Sequence, residues 1–176
     1  MRYTQGISEN FFPAPGLQPF LGNVNRVNFG FTLRPSSRFR MDETLIYYRL
    51  GTLPAGQSIF NNYLNRAKVN YQFTKELSLR LILDYNATIA NTSLLDLQTN
   101  LGSFDGGPIA PTKQFTTDVL LSYLLHPGTA LYVGYNNGFT NLTLTPGAPQ
   151  PLMLLGPANN TTNRLFFVKA SYLLRF

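Results

Sequence analysis

Apolar and polar residues alternate one by one along seven stretches of this chain, and a period of two is the signature of a half-buried β-strand. In the first, Val27, Phe29, Phe31 and Leu33 alternate with Asn28, Gly30, Thr32 and Arg34. The second runs from about Glu43 to Leu50, with Thr44, Ile46, Tyr48 and Leu50 on one face. The third is the cleanest: Ala67, Val69, Tyr71 and Phe73 stand opposite Arg66, Lys68, Asn70 and Gln72. In the fourth, Leu77, Leu79, Leu81, Leu83 and Tyr85 oppose Ser78, Arg80 and Asp84, with Ile82 out of pattern. The fifth sets Phe115, Thr117, Val119, Leu121 and Tyr123 against Thr116, Asp118 and Ser122. Leu131, Val133 and Tyr135 oppose Tyr132, Gly134 and Asn136 in the sixth. The seventh closes the chain, with Phe166, Val168, Ala170, Tyr172, Leu174 and Phe176 against Lys169, Ser171 and Arg175. No stretch keeps a helical period. The pattern predicts an all-β, antiparallel up-and-down meander of about seven strands.

The connections between these stretches alternate in length. Short turns follow the first, third and fifth, at Pro35-Ser36-Ser37, Thr74-Lys75-Glu76 and His126-Pro127-Gly128-Thr129. Longer connections rich in Gly, Pro, Asn and Thr follow the second, fourth and sixth, and two of them, around 88–113 and 139–162, far exceed ordinary hairpin loops. Short turns at one end and long loops at the other describe an outer-membrane β-barrel, with periplasm on the short side. On that reading the last strand descends and ends at the periplasmic edge, so the first of seven also descends. Single-chain bacterial barrels normally have an even strand number. Seven strands therefore predict a partial transmembrane barrel, an open curved sheet whose two edge strands run parallel. Residues 1–25 are then the remnant of an extracellular loop or strand stub, with Tyr3–Gly6 as a possible eighth strand, and 26–176 form the C-terminal barrel segment.

Composition fits this picture. Charged residues are 12% and aromatics 14%, with 14 Gly and 12 Pro, where an ordinary soluble domain carries about a quarter charged residues. No apolar run reaches the ~18 residues of a transmembrane helix. With no cysteine there are no disulfides, thiolate metal sites or Cys nucleophile. The net charge of +6 comes from cations scattered singly among acids, whereas phosphate-tracking surfaces cluster them. Nucleic acid is not expected as a partner. The N-terminal MRYTQGISENFF lacks the regions of a signal peptide, which the fragment reading assigns to an absent upstream part.

Aromatic residues fall at two levels. Tyr85, Phe115, Tyr135 and Phe166 lie toward the long loops, and Tyr71, Phe73, Tyr123 and Phe176 toward the short turns, as interfacial girdles require. The charges expected to face the lumen are Arg34, Glu43, Arg49, Arg66, Lys68, Arg80, Asp84, Asp118, Lys169 and Arg175. Polar residues must face a wet lumen, so these need no further role; an anion-favouring lumen or a plug-docking wall is the functional alternative. Catalysis has little to stand on. His126 is the single histidine, in a Pro-Gly turn, and Asp118 is the nearest acid on a strand, too far along it for a triad. No phosphate loop, metal-ligand cluster or dinucleotide fingerprint is present, so no cofactor, metal or enzymatic activity is expected.

The terminal segment, with Tyr172, Leu174 and the carboxy-terminal Phe176 on one face, resembles the last-strand signal read by the barrel-assembly machinery. The stretches VNFGFTLRPSSRFRMDETLIYYRL, SIFNN, FTKELSLRLILDYNA, YLLHPGTALYVGYNN and FFVKASYLLRF look like the end of one family of large Gram-negative proteins. In that family an N-terminal domain similar to family-nine carbohydrate-binding modules precedes an uncharacterised membrane-barrel region. The resemblance covers roughly residues 10–176, most tellingly HPGTALYVGY; Val69 and Tyr71 stand where relatives are expected to carry Trp. It implies an outer-membrane location, outer-membrane lipid and the missing N-terminal strands as partners, and a channel, transport or surface-anchoring role. An anchor for a carbohydrate-binding or carbohydrate-processing protein and a soluble β-barrel holding an apolar ligand are the alternatives.

Overall fold

The computed structural model describes residues 1–10, 20–91, 112–126, 128–144, 152–154 and 156–173. They form β-strands and turns, with no helix among the described residues. The strands are β1 (Arg2–Asn10), β2 (Phe20–Ser36), β3 (Phe39–Gly51), β4 (Ser58–Gln72), β5 (Leu77–Ala90), β6 (Thr112–His126), β7 (Thr129–Thr140), β8 (Leu142–Leu144), β9 (Leu152–Leu154) and β10 (Asn160–Ser171). Eight of them make one open sheet in the order β1-β2-β3-β4-β5-β6-β7-β10, every neighbouring pair antiparallel. The small β8–β9 hairpin lies inside the connection from β7 to β10.

The sheet thus has the expected antiparallel up-and-down order and two unpaired edges, but eight strands instead of seven. The extra strand grows from the stub expected at Tyr3–Gly6. It runs over nine residues and pairs along its whole length, from Arg2 opposite Asn28 to Asn10 opposite Phe20. Gly6 does not interrupt it: opposite Val24, it leaves open space where a Cβ would be, and an edge strand tolerates that gap. With an eighth strand in the meander, the two edges, β1 and β10, run antiparallel rather than parallel.

Short and long connections alternate as the sequence predicts. Two residues join β2 to β3, four join β4 to β5 and two join β6 to β7, all at one end of the sheet. The first of the longer connections is shorter than expected, because β3 reaches Gly51 and β4 begins at Ser58. Its six residues close on themselves: Thr52 N–H donates to the Gln57 carbonyl at 2.8 Å, and Gly56 N–H to the Thr52 carbonyl at 2.9 Å.

Register decides which residues share a face, because a slip of one residue inverts a whole strand. One face carries Val27, Phe29, Phe31 and Leu33 of β2 and Met41, Leu45 and Tyr47 of β3. It continues through Tyr63, Val69 and Tyr71 of β4 and Leu79, Leu81, Leu83 and Tyr85 of β5. Phe115, Val119 and Leu121 of β6, Val133 and Tyr135 of β7, and Phe166, Val168 and Ala170 of β10 complete it. The expected aromatic levels both lie on this side as far as they are described; Phe176 lies outside the described residues. The strand over 43–50 is the exception to the sequence reading. Its neighbours' registers put Leu45 and Tyr47 on the apolar face and Thr44, Ile46, Tyr48 and Leu50 on the other. Glu43 and Arg49, expected among the lumen-facing charges, therefore lie on the apolar face. Both faces of this strand carry large apolar residues, so alternation alone could not orient it.

Turn chemistry and close backbone approach fix the last hairpin. Gly128, at φ +94°, ends the β6–β7 turn where an L side chain is strained, and a Cβ there would also stand 2.5 Å from that of Leu173. On β7, the Phe167 ring fills the space a Cβ would need at Gly134, its cross-strand partner, with Cε1 and Cζ nearest to that position. A glycine covered by an aromatic ring is a recognised stabilising pair in sheets. Replacing Gly128 by Ala should lower stability by about 1–2 kcal/mol, and Gly134→Val by about 1–3 kcal/mol through overpacking. Chemical denaturation of the folded chain measures both, and Gly6→Ala should lie within about 0.5 kcal/mol of the parent.

Candidate functional site: the two faces of the sheet

The polar face is built by the second set of positions on each strand. Arg66 and Asp84 are direct cross-strand partners, their side chains 3.9 Å apart. Lys68 stands between Asp42 and Ile82, and Arg80 between Asn70 and Leu120. Asp118 pairs with Ile82 and Asn136, and Lys169 with Tyr132. All six lumen-facing candidates thus share this face, spread over β4, β5, β6 and β10. Of the other candidates, Tyr172 follows the end of β10 and is exposed. Leu174, Arg175 and Phe176 lie outside the described residues.

Two hydrogen-bonded groups on this face were not singled out from sequence. Asn136 donates its side-chain amide to Asp118, and Asn163 donates to the Asn136 carbonyl oxygen at 3.0 Å, linking β6, β7 and β10. On β3, Arg40 donates to Asp42 from Nε and Nη2 at 2.8 and 2.9 Å, while the Thr32 hydroxyl donates to the same carboxylate at 2.7 Å. Alternation along β3 already puts Arg40 and Asp42 on one face, but only the register brings Thr32 to Asp42 and joins Asp118, Asn136 and Asn163.

Among the described residues nothing covers the apolar face. Leu33 is 48% exposed, Phe31 43% and Val168 59%. The only buried apolar side chains among the described residues are Leu50, Ile59, Ala87 and Ala130. A soluble sheet of this size would hide such a face against a second sheet or helices. Aromatic contacts run along it instead: Tyr47 and Tyr63 at 5.1 Å between ring centres, Tyr71 edge-on to Phe73 at 4.8 Å, and Phe115 on Phe139 at 6.1 Å.

The limit of the apolar band differs between the two edges of the sheet. On β2, β3 and β4 it ends at Asn25, Arg49 and Asn61, which form one cross-strand row. On β6 it ends at Lys113, on β7 it runs past Asn137 to Phe139, opposite Phe115, and on β10 it ends at Arg164, opposite Asn137. Followed back through Thr117, Leu83, Ala67 and Glu43, this last row reaches β2 at Phe31, displaced along the strand from Asn25. The offset is about six residues, or ~20 Å, across six inter-strand spacings of ~29 Å in total. The shift is uneven: the limit is level across β2, β3 and β4 and lies nearer the short turns on β10, about 35° off the inter-strand direction when taken from end strand to end strand. On β5 the apolar face runs on through Ala87 and Ile89, and Glu43 is the one charged side chain inside the band among the described residues.

For catalysis the described residues offer little material. No group of three or more His, Cys, Asp or Glu able to hold a metal occurs among them. His126 ends β6, exposed and paired with Thr129, with Asp118 eight residues back along the same strand, roughly 25 Å at strand rise. Comparison of the chain with family models, curated proteins and solved structures returns no match.

The linked side chains on the polar face give a direct test of the register. Asp118→Ala leaves the Asn136 amide without its acceptor and should cost about 1 kcal/mol. A double-mutant cycle with Asn136→Ala should return a coupling of about 0.5 kcal/mol or more. Zero coupling would place the two residues apart.

Proposed function

We propose that this chain is a transmembrane sheet of a bacterial outer-membrane β-barrel, with a channel, transport or surface-anchoring role. The observation that carries the reading is the apolar face, which no described residue covers. Where no second layer of protein hides such a face, lipid tails would.

Other features support the same reading. The main strands from β2 to β10 have 12 to 17 residues, enough to cross the hydrocarbon, which takes about 9–11 tilted residues. Charges gather on the opposite face, where a wet lumen would solvate them, and lipid-facing Arg or Lys would cost ~2–4 kcal/mol at the midplane. The free edges of β1 and β10 expose backbone groups that lipid cannot satisfy, so strand pairing at those edges belongs to the assembled state. With the family resemblance, this makes the barrel a pore or the anchor of a carbohydrate-binding surface protein.

The full chain should acquire β-structure when refolded into detergent micelles or vesicles, and aggregate without them. Leu81→Arg, inside the apolar band, should lower stability in micelles by about 2–4 kcal/mol. Thr116→Arg, on the polar face between Asp84 and Gly138, should change it by less than about 0.5 kcal/mol. A folded, monomeric protein in plain buffer, or equal effects of the two substitutions, would defeat the proposal.

A further inference from the structure

Where the polar face meets the short turns, the registers assemble a compact block of donors. Arg40, Asn70 and Arg80 form one cross-strand row over β3, β4 and β5. The next row toward the turns holds Arg38, Gln72 and Ser78: Gln72 N–H donates to the Arg38 carbonyl at 2.8 Å, and Gln72 pairs with Ser78. These residues line a recess of about 220 Å³. Neighbouring strands stand about 5 Å apart, so the Arg40 and Arg80 backbones flank Asn70 at a separation of ~10 Å. Two long guanidinium side chains on such a base can converge on one small oxyanion.

Charge in the block is unbalanced. Arg40 is held by Asp42, which also faces Lys68. Arg38 and Arg80 have no hydrogen bond or ion pair from their side chains among the described residues. In the adjoining turn Lys75 and Glu76 offset each other, and Arg34 lies in the irregular stretch of β2 beside β3. Three arginines less one aspartate leave two positive charges facing the recess. Arginine forks suit planar or tetrahedral oxyanions, which accept two N–H bonds from each guanidinium.

We propose that Arg38, Arg40 and Arg80, arranged around Asn70, form a binding site for a phosphate monoester dianion. The two net positive charges match such a dianion, and the amide of Asn70 and hydroxyl of Ser78 supply neutral donors between the guanidinium groups. The site stands on the polar face and holds whichever medium bathes the other one, so it goes beyond the membrane reading. Its place at the rim lets the phosphate arrive either on a soluble compound or on a lipid headgroup.

The test is titration of the full chain, refolded in zwitterionic micelles, with inorganic phosphate, read by calorimetry and ³¹P line width. Circular dichroism in the same micelles reports the fold separately. Saturable one-to-one binding is expected, weakened about tenfold or more by the double variant R38Q/R80Q, less by R80K than by R80Q, and little by R66Q elsewhere on the face. Repeating the titration with phosphatidic acid in phosphatidylcholine bicelles identifies the source: tighter binding than to inorganic phosphate assigns a headgroup, and weaker binding a soluble phosphate compound. No saturable binding by a folded chain, undiminished binding by R38Q/R80Q, or an equal loss in R66Q would overturn the site.

Discussion

The backbone ladder is the constraint on which everything else in this protein depends. Among the described residues almost no side chain is buried well enough to hold the fold by packing, and the hydrogen bonds between neighbouring strands carry the architecture. Because side chains alternate strictly from one face to the other, each ladder's register also sorts the chemistry. A slip of one residue on β4 would carry Arg66 and Lys68 into the apolar band and Val69 and Tyr71 out of it. The amphipathic sheet is therefore a statement about register before it is one about composition.

That sorting leaves one face apolar and the other polar, and no described residue covers the apolar one. In a sandwich the apolar faces meet and exclude water, and burial supplies most of the driving force. Here the apolar face meets no other part of the described chain, while the face bearing Asp118, Asn136 and Asn163 is knit together by side-chain hydrogen bonds. The proposed bilayer would supply an apolar solvent on one side and water on the other. The aromatic residues along the band suit the boundary between those media, having a large apolar ring and, in tyrosine, a hydroxyl that reaches toward water.

Glu43 is the departure that tests this account most sharply. Flanked by Phe31 and Ala67, it places a carboxylate inside the band. Its strand is also the one whose two faces are least distinct, with Met41, Leu45 and Tyr47 on one side and Ile46, Tyr48 and Leu50 on the other. A strand mixed on both sides takes its orientation from its neighbours. Those neighbours are strongly patterned: β2 by Phe29 and Phe31, β4 by Lys68 and Val69.

Much of this was legible in the sequence. The period of two placed seven of the eight strands, the Pro-Ser, Thr-Lys-Glu and Pro-Gly turns marked the short end, and the grouping of Arg66, Lys68, Arg80, Asp84, Asp118 and Lys169 on one face followed from alternation. These features are local, written into residues within a few positions of one another. The tertiary structure alone decided the rest. The length of β1 depended on pairing with β2, because Gly6 and a weakly alternating segment carry little strand signal alone. The orientation of β3, the uneven limit of the apolar band and the meeting of Arg40, Asn70 and Arg80 all follow from how far each strand slides against the next. That offset is set by turns and side-chain fit between segments distant in sequence, and no periodicity within one segment contains it.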